Sequence, residues 1–310
     1  MNIPQGIRAG DTIGVIAPAA AMPAGDIELA IRTIRSMGFE VEVSPHAIRD
    51  DSYFGAGPDE RARDLEAMFC DPSIAGIMCV KGGYGSMEIL DHLDYERLAE
   101  HPKVFMGYSD ITALLIAISK RSDMITFHGP MLYSFVSKAD EFTLSSLQSV
   151  LTGSALAITS FEPPEGPVVL RTGAAEGTLV GGNLTLLSHL VGTEYDFETA
   201  DCILFLEDVD EDLYRIERSL LHLKLAGKLS RITALIMGEM VNVRTGKVPL
   251  GKDLAQIVLG VCGDMTYPIV MDFPCGHGAR QMTLPLGIRS RIVAKRQLIE
   301  FGLLENPVLL

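Results

Sequence analysis

The sequence predicts an α/β protein: an open, mostly parallel sheet with helices on both faces in the first half, then a second region richer in strand and turn signals. Three observations carry this. Short apolar runs alternate with segments of helical period from Thr12 to Phe127, the grammar of βαβ units. Three of those runs end in chemically distinctive loops, Lys81-Gly82-Gly83, Ser109 and His128, and sites of parallel sheets form at carboxyl ends of strands. The pattern then breaks at Pro163-Pro164-Glu165-Gly166-Pro167, a connector. The expected division is therefore residues 1–140, a linker over 141–175, and a second domain over 176–310.

Thr12 to Ala17 is a first buried strand, followed by the small-residue loop Pro18 to Ala21. Asp26 to Met37 has apolar residues at 27, 30, 31 and 34, a helical spacing, and Gly38 suits the position just past its end. Glu40 to Ser44 is the next strand. Pro58-Asp59-Glu60-Arg61 opens a helix with apolar residues at 62, 65, 68 and 69, which Pro72 stops. Gly76 to Val80, Val104 to Met106 and Met124 to Phe127 are further strands. After the connector come strands at Glu176–Val180, Cys202–Leu206, Ala234–Met240 and Ile269–Phe273, and helices at Ile216–Leu225 and Asp253–Val261. Ser290–Ala294 with Gln297–Glu300 reads as a closing hairpin.

Composition narrows the function. The chain has 310 residues, 47% of them hydrophobic but only 6% aromatic and none Trp, so its core is aliphatic. A net charge of −14 argues against nucleic acid and against an anionic membrane surface, both of which need clustered Lys and Arg. The start of the chain lacks the apolar segment of a signal peptide, and no apolar run approaches the ~18 residues of a membrane span. A soluble cytoplasmic protein is expected. Five Cys with no regular spacing fit free, buried thiols, and Cys275-Gly276-His277 is too short to be a metal site. Lys81 to Ser86 has the order of neither common Gly-rich phosphate loop, so neither a metal nor another cofactor is expected.

Val104 to Leu115 is the most informative stretch. It runs from strand to Gly107-Tyr108-Ser109 to helix, the layout of a nucleophile elbow, although Ile111 stands where G-x-S-x-G would have its second glycine. The competing role for Ser109 is an ordinary helix N-cap. A nucleophilic serine needs a base and a group to orient the base. Among seven His, His128 and His277 each sit before Gly in a loop after a strand, and the residues do not choose between them. His189, in an apolar run, reads as a core or interface histidine. Glu207 continues directly from the strand ending at Leu206, so its side chain can face the interior, unlike the acidic run at Asp208, Asp210, Glu211 and Asp212. Gly82-Gly83 leaves backbone N–H groups open to an oxyanion.

Taken together these pieces resemble the LD-carboxypeptidase family, the S66 class of serine peptidases. The marks span nearly the whole chain: Gly10 to Pro18, Lys81 to Gly85, Gly107 to Thr112, Phe127 to Pro130, Gly181-Gly182-Asn183-Leu184, Leu206-Glu207-Asp208, Tyr214 to Arg218, Gly276-His277-Gly278 and Leu284 to Gly287. The resemblance implies a flavodoxin-like N-terminal α/β domain and a smaller β-rich C-terminal domain. It implies Ser109 as nucleophile, His277 as base and Glu207 as its partner, which settles the histidine question. It also implies an oxyanion hole from the N–H groups of Asp110, Gly82 and Gly83. The implied reaction releases terminal D-Ala from muropeptide tetrapeptides in peptidoglycan recycling, without a cofactor, by a homodimer. Asn183 in its motif, and Arg215 and Arg218 by charge, are substrate-binding candidates. Family members usually carry Arg at Lys81 and often His at Leu115. The family also holds microcin-immunity hydrolases of peptidyl or aminoacyl nucleotides, expected to stack an aromatic, often Trp, on the base. The lack of Trp tilts this chain towards the carboxypeptidase. A silent binding protein on the same fold is the reading from another class.

Overall fold

A computed structural model describes residues 1–136, 140–154, 158–162, 166–246 and 249–310. The chain forms two compact units. The first comprises Met1–Ala155, Ala279–Gly287 and Asn306–Leu310; the second comprises Leu156–Gly278 and Ile288–Glu305.

The first unit is built on a six-stranded sheet. Its strands are β1 (Thr12–Ile16), β2 (Glu40–Val43), β3 (Ile74–Cys79), β4 (Val104–Gly107), β5 (Thr126–His128) and β12 (Leu284–Leu286), in the order β12-β5-β4-β3-β1-β2. The first five are parallel, in flavodoxin-like order, and β12 closes the edge antiparallel to β5. All four residues of β4 are buried, as expected of a strand covered on both faces. The helices obey the sequence signals closely. Helix α1 (Ala24–Ser36) buries Ile27, Ala30 and Ile34, and Gly38 follows its cap with φ of 93°. Helix α2 (Pro58–Cys70) has Pro at its first position. After α3 (Tyr95–Glu100) and β4 comes α4 (Thr112–Arg121), whose residues from Thr112 to Ile118 are all buried, so it is a central helix rather than an amphipathic cover.

The second unit carries an eight-stranded sheet. Four parallel strands form its middle: β8 (Gly173–Asn183), β9 (Cys202–Val209), β10 (Ala234–Val241) and β11 (Ile269–Gly276). Helices α6 (Leu184–Leu190), α7 (Leu213–Leu225) and α8 (Leu254–Val261) connect them in turn. On one side lie the antiparallel strands β13 (Arg289–Lys295), β14 (Leu298–Leu303) and β6 (Thr159–Phe161), and on the other β7 (Val168–Arg171). The strand content is high, and the expected hairpin near the end is β13–β14.

The expected linker over 141–175 is not one. It contains α5 (Glu141–Leu151), β6, β7 and the first residues of β8. Helix α5 forms because Asp140 caps it, accepting from Thr143 N at 2.8 Å, while Leu147, Val150 and Leu151 share a buried stripe. Pro163, Pro164 and Glu165 of the connector lie outside the described residues. The second expected boundary, a C-terminal domain running on to 310, is also corrected. Residues 279–287 return to the first unit because β12 pairs with β5, Gln281 N donates to Thr143 Oγ1 and Thr283 N donates to Ser146 Oγ. Residues 306–310 return as well, with Gly6 N donating to Leu309 O and Leu309 N to Pro4 O.

Candidate active site

In the first unit the loops after β1, β3 and β4 meet at the carboxyl edge, where strand order reverses between β1 and β3. Ser109 follows β4 with φ of 62°, a left-handed conformation that a non-glycine residue holds only under constraint. Tyr108 before it is extended, and a 3₁₀ turn over Ser109–Ile111 leads into α4. Neither that turn nor α4 has a side-chain cap, so Ser109 is not the N-cap it resembled. Gly107 is required beneath the turn, since a Cβ there would sit 2.7 Å from Ile111 Cγ2.

The glycine loop after β3 packs directly on this turn. A Cβ on Gly82 would lie 2.9 Å from Ser109 Cβ, 3.0 Å from its Oγ and 3.1 Å from Asp110 N. No larger residue fits there. Two hydrogen bonds lock the contact: Ser86 N donates to Asp110 Oδ2 at 2.8 Å, and Ser86 Oγ donates to Asp110 O at 2.5 Å. Burial pushes the Asp110 carboxyl up, with Glu88 adding to the rise, while the Ser86 bonds and the Arg61 charge oppose it. His128 ends β5 opposite Gly107 of β4, is 1% exposed, and has its ring 6.0 Å from that of Tyr108.

The second unit holds Glu207 and the other candidate histidine, His277. Glu207 lies in β9, fully buried, and its Oε2 is 2.7 Å from His277 Nδ1. A carboxylate can only accept, so Nδ1 carries a proton, and in the neutral imidazole Nε2 has the lone pair. Room for Glu207 is made by glycines: a Cβ on Gly276 would lie 2.5 Å from its Oε2, and one on Gly238 2.9 Å from its Cβ. A Cβ on Gly278 would overlap the Glu239 carboxylate, so both glycines flanking His277 are required by acids on neighbouring strands. The largest influence on His277 is burial, which lowers its pKa. The hydrogen bond and charge of Glu207, with Asp208 and Asp210 behind it, outweigh this and leave the pKa raised. Asp208 is braced separately, by Asn183 Nδ2 at 2.9 Å and by Thr185 N and Oγ1.

The remaining expected site residues fall elsewhere. Asn183 spends Nδ2 on Asp208 and its Oδ1 on capping α6, which gives it a structural role. Arg215 and Arg218 flank the Tyr214 ring on α7, and Arg215 also pairs with Glu211 at 3.8 Å, so neither joins the His277–Glu207 pair. His189 is exposed on α6 and is not a core residue. All five cysteines are free; Cys275, behind Glu207 and Glu239, is held protonated by burial and by those charges. The residue that composition and motif gave no sign of is Arg61, whose side chain is wholly buried beside the glycine loop. Among the described residues no cluster of His, Cys, Asp or Glu is arranged to hold a metal, and no helix is long and apolar enough to cross a membrane.

The first unit thus carries a left-handed serine at a strand-to-helix turn, and the second a buried carboxylate paired with a histidine. Residues 13–129 match the LD-carboxypeptidase N-terminal domain and residues 176–292 the LD-carboxypeptidase C-terminal domain. The chain belongs to the LD-carboxypeptidase family. A murein tetrapeptide carboxypeptidase of Pseudomonas aeruginosa is 31% identical over 89% of this chain and 91% of its own. The solved muramoyltetrapeptide carboxypeptidase of Oxalobacter formigenes superposes with a TM-score of 0.85 at 30% identity, over 96% of this chain and all of its own. The microcin C7 self-immunity protein MccF in complex with aspartyl sulfamoyl adenosine superposes with a TM-score of 0.89 at 26% identity, over the whole of both chains.

Proposed function

We propose that this chain is a serine LD-carboxypeptidase that releases terminal D-Ala from muropeptide tetrapeptides, acting in cytoplasmic peptidoglycan recycling as a homodimer. Ser109 Oγ attacks the carbonyl of the L,D amide. His277 Nε2 takes the hydroxyl proton and returns it to the leaving D-Ala amine. Glu207 fixes the tautomer and stabilises the imidazolium formed. The N–H groups of Asp110, Gly82 and Gly83 receive the oxyanion, and water then hydrolyses the acyl-enzyme with His277 again as base. The observation that carries the reading is the left-handed Ser109 with Gly82 pressed against its hydroxyl, a strained placement that a mere turn does not need. The 2.7 Å Glu207–His277 pair supports it.

The likeness to the immunity protein keeps one rival substrate in view, an aminoacyl nucleotide. The absence of Trp from the sequence favours the peptide. The test is a side-by-side assay of a tetrapeptide and an aminoacyl sulfamoyl adenosine. Turnover of the tetrapeptide is expected. Turnover of the adenosine compound alone would give the chain the rival activity, and tight binding of either without turnover would make it a silent binding protein. Sedimentation at micromolar concentration checks the dimer.

A further inference from the structure

Among the described residues Arg61 is the largest wholly buried side chain, and nothing in the triad chemistry uses it. It stands in the second turn of α2. Its Nη1 donates to Pro18 O at 2.6 Å and to Gly85 O at 3.1 Å, and its Nη2 meets Glu88 Oε2 at 2.5 Å. Its guanidinium lies 4.5 Å from the centroid of Phe54. Pro18 belongs to the loop after β1, and Gly85 to the loop after β3 that begins with Gly82 and Gly83. One planar group thus ties together the two loops on either side of the point where strand order reverses.

As a device for stability this is a poor choice. A buried guanidinium loses its hydration, and its single carboxylate partner, Glu88, is itself one-third exposed. An apolar side chain of similar volume would fill the space without that desolvation cost. What an apolar residue could not do is fix two backbone carbonyls at a set separation. The glycine loop needs such a fix. Gly83 and Gly85 have φ of 95° and 119°, backbone that other loop conformations would readily replace. At its start the loop is held by Ala20 N donating to Gly82 O at 3.3 Å, and beyond Gly85 by the Ser86–Asp110 bonds. Between them Arg61 holds Gly85 O, which also accepts from Glu88 N at 3.2 Å, and is the donor that joins this carbonyl to Pro18 O. Gly85 itself must lack a side chain, because a Cβ there would lie 2.5 Å from Phe54 Cε1 and 3.0 Å from Arg61 Nη1.

We propose that Arg61 is the positioning residue of the oxyanion loop: by holding Gly85 O against Pro18 O it sets where the Gly82 and Gly83 N–H groups point. This rests on the reading of that loop as the oxyanion hole. Arg61 touches no substrate and acts through the loop backbone. Lysine keeps the charge but not the planar fork, and cannot hold both carbonyls and Glu88 at the same geometry.

The test measures D-Ala release by R61K and R61A beside S109A, with melting curves for each. R61K is expected to lose about tenfold or more in kcat with KM within about twofold of wild type, the pattern of an interaction made in the transition state. Millimolar guanidinium is expected to restore part of the kcat of R61A. A peptidyl boronate, which forms a tetrahedral adduct on Ser109, is expected to bind R61K more weakly by about the factor lost in kcat. R61K with kcat within about twofold of wild type would overturn the proposal. So would a loss of rate that only follows loss of folded protein, with boronate affinity of the folded fraction unchanged. If R61A does not fold, R61K and the boronate decide. S109A separates the two failures: full activity in S109A removes the oxyanion reading itself, whereas an inactive S109A beside a wild-type-like R61K removes only the role of Arg61.

Discussion

The paired His277 and Glu207 make a pH profile the sharpest probe at the level of single residues. A base must be neutral to accept a proton, and the His277 pKa is raised above the ordinary value of about 6.5. The acid limb of kcat/KM is therefore expected above that value, with activity rising as pH rises through it. Glu207→Gln should move the limb down, because it removes the main raising influence, and should cost on the order of 10⁴ in kcat through the wrong tautomer. A limb unmoved by that change would break the link between the two residues. Stability runs the opposite way: the ion pair contributes fully below the ordinary His value and is lost as pH climbs through the raised one. The pair was legible in the sequence only in part. Glu207 stood out because it continues an apolar strand, but His277 and His128 were equal until the family resemblance separated them. Arg61 was not legible at all: in a helix start rich in Asp, Glu and Arg it has the pattern of a solvated residue, and only the fold buries it.

At the level of elements, the glycines carry the site. Gly82→Ala is expected to lower kcat by about 10²–10³, since its Cβ would push Ser109 and the Asp110 N–H away from the glycine loop, while the overpacking lowers the melting temperature by only several degrees. Kinetics and a melting curve on one preparation check both halves; unchanged kcat would show that the loop does not bear on the reaction. Gly278→Ala is a different case, because its Cβ would overlap Glu239, and loss of folded protein is expected there. The strands and helices of the first half followed the sequence within a few residues, since buried parallel strands, and helices bounded by Pro58 or Gly38, announce themselves locally. Strand β8 did not: expected over Glu176–Val180, it runs on through Gly181, Gly182 and Asn183, because these pair with Phe205, Leu206 and Glu207 of β9 despite their weak strand preference.

For the whole molecule, the discontinuous units are what the sequence concealed. Strand β12 is three residues long and separated from β5 by more than 150 positions, and no local pattern reveals such a pairing. Leu284 pairs with His128 there and is fully buried. Leu284→Ala is expected to destabilise the protein by about 2–5 kcal/mol, measured by urea unfolding, with the loss falling on the first unit. A loss under about 0.5 kcal/mol would mean that β12 is dispensable to that unit. The proposed reaction turns on Ser109 as nucleophile, with His277 as base and Glu207 as the partner of that base. The most direct measurement is D-Ala release from a muropeptide tetrapeptide by wild type, Ser109→Ala and His277→Ala under identical conditions. Release by wild type and none above background from either variant is expected, with all three proteins folded; release by folded Ser109→Ala at the wild-type rate would show that Ser109 is not the nucleophile.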